Sequence, residues 1–450
     1  MTQPLDPHTA HPRTLVVGLG KTGVSCARFL ARRGETVAVT DSRLDPPGLV
    51  QLREELPDVP VFVGGFDEAA FRAAERLVVS PGVALSHPLI RAAMERGVEV
   101  VGDITLFADL ADAPVAAITG SNGKSTVTTV LGEMAKRSGL DVRVGGNIGI
   151  PALDLLQESA PDLYVLELSS FQLETVAHLN AKVAVILNIS PDHMDRYDSL
   201  EDYAAAKRAI YNGNGVMVLN DDDAVVAAMA EPGREILHFT LHEPGAGVFG
   251  LREKDGIAYF AHGAQLLMKV NEMRMVGRHN AANALAALAM GSALGLRMEA
   301  MLQTLREFPG LPHRCQHVAT IDGVGWYNDS KGTNVGAAEA AIAGMPGRLV
   351  LIAGGDGKGA DFAPLAQAAA GKVRAVVLVG RDAPIIEQAM HGKVPCHRAS
   401  DMAQAVALAR ELAQPGDNVL LSPACASFDM FKGFEHRGEV FVSLVRGLVS

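Results

Sequence analysis

The sequence predicts an α/β protein of three domains: an N-terminal Rossmann-like domain, a central parallel sheet of the P-loop ATPase type, and a C-terminal Rossmann-like domain. Three observations predict it. Short apolar runs alternate with helix-compatible segments along most of the chain, the order of parallel sheets covered by helices. At 450 residues the chain exceeds one ordinary core and allows roughly three domains. Two glycine-rich turns, at 18–23 and 120–126, each follow an apolar run and open a helix, so two phosphate-type sites are expected in the first half.

Taken in order, residues 1–13 are rich in Pro, His and Thr and read as a disordered tail without an export signal. Residues 14–18 read as a strand that meets Gly18-Leu19-Gly20-Lys21-Thr22-Gly23, followed by a helix and a second strand ending in Thr40-Asp41. This is the dinucleotide fingerprint, including an acid about 20 residues after the glycines that can reach a ribose hydroxyl. Two features weigh against a redox cofactor: the unit closes early, with strands near 77–80 and 98–101, and another nucleotide site begins a few residues later. A nucleotide or nucleotide-sugar diphosphate on the same turn is the preferred reading. A protein that binds NAD or another nucleotide without transforming it is the alternative. Ser80-Pro81-Gly82, at a strand end, forms a further edge of that pocket.

The central domain, 104–311, follows the first, 1–103. Its apolar run 114–118 leads into Thr119-Gly120-Ser121-Asn122-Gly123-Lys124-Ser125-Thr126 and a helix over 127–136. Backbone N–H groups at such a helix start point at an anion, glycines allow close approach, Lys124 adds positive charge, and Ser125 offers a hydroxyl to Mg2+. The loop is tighter than the common pattern, because Ile118 stands where a glycine is usual. Strands over 163–168 and 183–188 end in polar residues, and the carboxyl ends of parallel strands line the ligand crevice. Glu167, Ser169, Asn188, Asp192 and His193 are therefore expected near the loop. A buried Glu on a strand is costly unless paired, which favours Glu167 as a functional carboxylate.

An alanine-rich helix over 273–294 precedes a breaker segment, Phe308-Pro309-Gly310-Leu311-Pro312-His313-Arg314, that opens the third domain, 312–450. Strands near 325–328, 349–353, 375–379 and 418–421 carry polar clusters at 328–334, 354–358 and 422–427. A net charge of −11 without basic blocks argues against nucleic acid or membrane-surface binding. Four scattered cysteines, Cys26, Cys315, Cys396 and Cys425, give no disulfide or zinc pattern. No run of about 18 apolar residues occurs, and a cytoplasmic location is expected.

The GLGKTG unit and the segments TGSNGKST, LELSSFQLE, NISPDHMDRY, GRHNAANALAAL, GLPHR, NDSKGTN and SPACASFDMFKGFEHRG occur in order from Gly18 to Gly438 in a pattern that resembles the Mur ligase family. The resemblance implies a monomeric enzyme of cytoplasmic peptidoglycan synthesis that forms an amide bond through an acyl phosphate, releasing ADP and phosphate. It implies ATP with two Mg2+ ions, and the small-molecule substrates UDP-N-acetylmuramoyl-L-alanine and D-glutamate. Its catalytic residues would be Lys124, Glu167, His193 and Lys207. ATP would be met by Gly120, Ser121, Asn122, Gly123, Lys124, Ser125, Thr126, Asn280, Asn283, Arg314 and Asp329. The metal ligands would be Ser125 and Glu167 for one ion, and His193 and Lys207, as a carbamate, for the other. The uridine substrate would meet Lys21, Thr22, Asp41, Ser42, Arg43, Ser80, Gly82, Asn147 and His193, with Asp41 toward base or ribose. D-Glutamate would meet Lys331, Thr333, Lys358, Ser427, Phe428 and Phe434. A sister ligase with another acceptor, or one that extends folate, shares most of these motifs. The GLGKTG unit and the SPACASFDMFKGFEHRG segment favour the D-glutamate reading.

Overall fold

The apolar runs before the two glycine turns are strands buried on both faces, as a helix-covered parallel sheet requires: Thr14–Val17 and Val115–Thr119 hold only buried residues. The structure is a computed structural model that describes residues 14–448; residues 1–13, expected to be a disordered tail, lie outside the described residues. The described chain divides into two compact units. The first holds residues up to Ile189 with Arg196–Phe239 and Ala286–Met301, and the second holds Ser190–Asp195, Thr240–Leu285 and the chain from Leu302 onward.

In the first unit, β1 (Thr14–Val17), β2 (Val37–Asp41), β3 (Val61–Val63), β4 (Arg76–Val79) and β5 (Glu99–Val101) form a parallel sheet in the order β3-β2-β1-β4-β5. The winding reverses beside β1, the arrangement that opens a crevice at the carboxyl ends of the strands. Gly18, the Asp41 end and Ser80 thus leave three adjoining strands. Gly23 sits where a Cβ would lie 2.0 Å from the Gly18 carbonyl oxygen, so only glycine lets the helix Lys21–Arg32 pack this close.

The same unit contains β6 (Val115–Thr119), β7 (Val142–Gly146), β8 (Leu163–Glu167), β9 (Val183–Ile186), β10 (Val216–Asn220) and β11 (Ile236–Phe239). They run parallel in the order β11-β10-β9-β6-β8-β7. Because β6 lies between β8 and β9, the phosphate loop leaves the sheet with Glu167 on one side and the end of β9 on the other. The first-unit core runs without a break from Val16 and Val39 to Tyr164, Ile186 and Met217, so both sheets rest on one apolar cluster.

In the second unit, β12 (Phe249–Lys254), β13 (Ile257–His262) and β14 (Gln265–Lys269) form an antiparallel meander. Asp255 and Gly256, at φ 54° and 74°, make the two-residue turn that Asp-Gly favours between twisted strands. The final sheet has the order β15-β16-β20-β17-β18-β19, built from β15 (Gln316–Ile321), β16 (Val324–Asn328), β17 (Leu349–Gly354), β18 (Val373–Val379), β19 (Cys396–Arg398) and β20 (Asn418–Leu421). It is parallel except for β15, which pairs antiparallel to β16. Alternate residues of β17 enter two cores, Leu349, Leu351 and Ala353 on one face and Val350 and Ile352 on the other. The breaker segment 308–315 has neither helix nor strand, as its prolines and glycine require. Among the described residues no helix is long and apolar enough to cross a membrane.

Candidate active site

The phosphate loop is shaped before any side chain is considered. Gly120 has φ 147°, and a Cβ there would lie 3.0 Å from Leu187 Cβ and 3.2 Å from Leu187 N. Gly123, at φ 88°, turns the chain into the helix Lys124–Arg137. Asn188 clamps the loop: its carbonyl accepts from Ser121 N at 2.9 Å, its Oδ1 accepts from Asn122 N at 2.8 Å, and its Nδ2 donates to Asn122 O at 3.1 Å. Lys124 Nζ donates to the Gly120 and Ser121 carbonyls at 2.8 and 2.9 Å, while Ser121, Ser125 and Thr126 are buried. The helix begins three residues earlier than its hydrophobic pattern indicates, so Lys124, Ser125 and Thr126 ride its first turn, where N–H groups lack intrahelical acceptors.

Glu167 ends β8, is 3% exposed, and lies beside Ile118, the residue that leads β6 into this loop. Its Oε1 accepts from Asn147 Nδ2 at 2.7 Å, while its Oε2 is buried without a protein hydrogen-bond partner. A buried carboxylate oxygen without a protein donor is costly, and a bound cation would satisfy it. Glu167 and the Ser125 hydroxyl therefore fit a magnesium ion, which takes hard oxygen ligands and usually keeps water and substrate phosphates in its shell. Among the described residues no three His, Cys, Asp or Glu side chains cluster as a metal cage. Lys207, on the helix Leu200–Arg208, is 1% exposed; its Nζ lies 3.4 Å from Thr119 Oγ1 at the end of β6 and 4.6 Å from the Tyr203 ring centroid. The Tyr203 hydroxyl is 3.2 Å from Ser121 Oγ. The buried side of this helix is Tyr203, Ala204 and Lys207, and the lysine stands beside the phosphate loop.

A cleft of about 530 Å3 opens at the switch point of the first sheet. Lys21, Thr22, Asp41, Ser42, Arg43, Ser80, Gly82 and Asn147 all line it, joined by Phe66, Pro81, Val83 and Gln172. Asn147 thus connects the cleft to Glu167 directly. Asp41 is 2% exposed; burial favours its neutral acid, but Arg43 and the backbone N–H groups of Leu19 and Arg43 outweigh that and hold it at about 2. Its Oδ2 accepts from Leu19 N and from Arg43 Nη2, both at 2.7 Å, so it fixes the glycine turn and aims Arg43.

Gln172 is held from behind. It is the fourth residue of a capping box with Ser169, and its Nε2 donates to Asp103 Oδ2 at 2.9 Å. Asp103 is 2% exposed, its Oδ1 has no protein hydrogen-bond partner, and burial pushes its pKa from 3.8 to about 6. A carboxyl whose folded pKa is raised contributes stability that is complete below about pH 4 and is lost as pH rises through about 6; the full difference is on the order of 3 kcal/mol. Asp103→Asn removes that titration. Its melting temperature should gain on the unmodified protein between pH 4 and pH 7 in thermal unfolding followed by circular dichroism; parallel curves would contradict the assignment.

In the second unit, His193 has φ 57°, with its backbone N–H donating to Asp192 Oδ1 at 3.0 Å and its Nε2 3.7 Å from Asp192 Oδ2. Asp192 accepts from Asn334 Nδ2 at 3.1 Å. Asn280 and Asn283, near the start of the helix Arg278–Ala293, are buried, and Asn283 Nδ2 donates to Asn280 Oδ1 at 3.2 Å. Asp329 follows β16, accepts from Cys315 N at 3.2 Å and Ser422 Oγ at 2.7 Å, and is pushed to about 6 by burial; Arg314 pulls against that rise.

Adjacent strand ends of the last sheet gather the remaining candidates. Lys331 Nζ stands 3.8 Å over the Phe434 ring. Lys358, at φ 51°, donates its N–H to Asp356 Oδ1, and Asp356 pairs through its backbone with Ala426, one residue before the buried Ser427. Thr333 N donates to Lys331 O, and Phe428 is 74% exposed. The sequence reading missed Arg437, which is 1% exposed. Its guanidinium donates to Ser330 Oγ, Ser330 O and Cys425 O, tying two loops to the helix that carries it, and burial lowers its pKa to about 10. The signal was its four-residue spacing from the buried Phe441 and Val445, which places all three on one helix face. Asp103, Gln172 and Asp356 were missed as well; only Gln172 carried a local sign, the Ser-x-x-Gln capping pattern.

A phosphate loop, a carboxylate suited to a magnesium ion, an adjoining substrate cleft and a separate unit with its own glycine-rich strand ends define an ATP-dependent ligase. The sequence matches three domain families: the Mur ligase MurD-like N-terminal domain over 12–102, the Mur ligase middle domain over 118–291, and the Mur ligase glutamate ligase domain over 313–425. It is 55% identical to the UDP-N-acetylmuramoylalanine–D-glutamate ligase of Nitrosococcus oceani over 452 aligned residues, covering 100% of both chains. It is also 55% identical to that of Marinobacter nauticus, covering 97% of this chain and 98% of the other. The fold is similar to that of a UDP-N-acetylmuramate-alanine ligase from Thermotoga maritima, with a TM-score of 0.60, 18% identity and coverage of 97% and 100%. The chain belongs to the Mur ligase family.

Proposed function

We propose that the protein joins the amino group of D-glutamate to the lactoyl-L-alanine carboxyl of UDP-N-acetylmuramoyl-L-alanine, with ATP converted to ADP and phosphate. The observation that carries the reading is the hydrogen bond from Asn147 to Glu167, which puts the nucleotide-sugar cleft and the phosphate loop on the two sides of one carboxylate. We read the chain as three domains, 1–103 for the uridine substrate, 104–311 for ATP and 312–450 for the amino acid, acting as a monomer.

A carboxylate is a poor acyl donor, so a carboxylate oxygen of the L-alanyl group first attacks the γ-phosphorus and the bond to the β,γ-bridging oxygen breaks. The D-glutamate amine then attacks the acyl carbon, the C–O bond to phosphate breaks, and the amine proton is released. Phosphoryl transfer is mainly positioning and charge neutralisation, which matches a site with a lysine and a carboxylate but no nucleophile–base pair. Lys124 exchanges the loop carbonyls for phosphate oxygens. Ser125, Glu167 and a carbamylated Lys207 are the metal ligands of the first unit, and His193 is that of the second. Bound magnesium neutralises phosphate charge and orients the groups. Asn280, Asn283, Arg314 and Asp329 serve the nucleotide, and Lys358 pairs the side-chain carboxylate of D-glutamate beside Lys331, Thr333, Ser427, Phe428 and Phe434.

Phosphate release from ATP in the presence of UDP-N-acetylmuramoyl-L-alanine tests the proposal, with D-glutamate, L-glutamate, L-lysine and meso-diaminopimelate as parallel acceptors. Release with D-glutamate alone is expected. Release with another acceptor would assign the chain to a sister ligase, and release with none would remove the ligase chemistry.

A further inference from the structure

The cleft wall formed by Ser80–Val83 is tethered by a residue with no role in the reading above. Arg196 is 13% exposed at its side chain. Its Nη1 donates to Pro81 O at 3.0 Å and its Nη2 to Val83 O at 3.1 Å, bracketing Gly82 from behind. The same Nη2 donates to Glu174 Oε2 at 2.6 Å, and Glu174, 14% exposed, takes the Tyr197 hydroxyl on its other oxygen at 2.6 Å. The guanidinium also lies 4.4 Å from the Phe171 ring centroid, on the helix that carries Gln172 into the cleft. A half-buried guanidinium satisfied in this way is specific: a planar fork reaches two carbonyls and a carboxylate at once, which an ammonium cannot do. From the front, the wall is held by Ser80 Oγ donating to Gly18 O at 2.8 Å.

We propose that Arg196, braced by Glu174 and Tyr197, is a positioning residue for the uridine-diphosphate substrate. It sets the distance between the Ser80–Val83 wall and the Phe171–Gln172 wall of the cleft. This inference rests on the nucleotide-sugar reading of that cleft. Arg196 touches no reacting atom, so its loss acts on the binding of one substrate and not on the phosphate loop, whose clamp is Asn188.

Calorimetric titration of the full-length protein with UDP-N-acetylmuramoyl-L-alanine, together with the KM for each substrate, tests it. For Arg196→Gln, the Kd and KM of the nucleotide-sugar should rise about tenfold or more, as expected for the loss of several charge-assisted hydrogen bonds. The KM for ATP should stay within about twofold, and Arg196→Lys should recover part of the loss. Tyr197→Phe, which removes only the brace on Glu174, should shift the same constant in the same direction by a smaller factor and also decides the matter if Arg196→Gln does not fold. Unchanged nucleotide-sugar constants in these variants, or an equal rise for ATP, would overturn the inference while leaving the functional reading in place. Failure of the unmodified protein to bind the nucleotide-sugar would overturn both.

Discussion

Glu167→Gln lowers kcat by about a hundredfold to a thousandfold and raises the magnesium concentration needed for half-maximal rate. The size follows from what the substitution removes. Glu167 is 3% exposed, one oxygen is held by Asn147, and the other has no protein hydrogen-bond partner. The amide keeps the shape and the acceptor for Asn147, but it presents either a neutral oxygen or an N–H where the carboxylate offered negative charge. Groups that stabilise charge in a water-poor site are worth about 10²–10³ in rate each, and a lost metal ligand also weakens the ion itself. Initial rates of phosphate release across a magnesium titration measure both effects. A variant within tenfold of the parent at all magnesium concentrations would show that Glu167 is structural.

Lys207→Ala lowers the rate by at least about a hundredfold, and Lys207→Arg does not restore it. The side chain is 1% exposed, with Thr119 Oγ1 and the Tyr203 ring as neighbours at the end of β6. Carbamylation forms an N–C bond between the neutral lysine amine and CO2 and releases one proton, turning a cation into an oxygen-donating anion. A guanidinium stays protonated and cannot take that path. The unmodified protein should therefore lose activity after equilibration in CO2-free buffer and regain it with bicarbonate. An active Lys207→Arg variant, or a rate indifferent to bicarbonate, would leave the lysine acting as a cation.

The buried central strands of the two Rossmann-like sheets and the position of the phosphate loop were legible, though not the strand order, because buried parallel strands are continuous apolar runs broken by glycine turns. The cleft was legible for the same reason: Lys21, Asp41, Ser80 and Gly82 sit at strand ends that topology makes neighbours. The meander β12–β14 was missed because Arg252, Glu253 and Lys254 interrupt its apolar pattern, although Asp255-Gly256 marks its first turn and Asp322-Gly323 marks the β15–β16 hairpin in the same way. Short edge strands such as β3 and β19, three residues each, are too short to show a pattern. Asp103, Arg196 and Arg437 were illegible as site supports because their partners are 69, 115 and 107 residues away in sequence. Long-range hydrogen bonds leave no local periodicity, and a charged residue reads as solvent-facing until its acceptors are seen.

In the proposed reaction the γ-phosphoryl group passes to the substrate carboxylate before the amine attacks. That order can be read from UDP-N-acetylmuramoyl-L-alanine labelled with 18O in both carboxyl oxygens, turned over with ATP and D-glutamate, with the phosphate analysed by mass spectrometry. One 18O atom in each phosphate released is the predicted result; unlabelled phosphate accompanying amide formation would contradict the account.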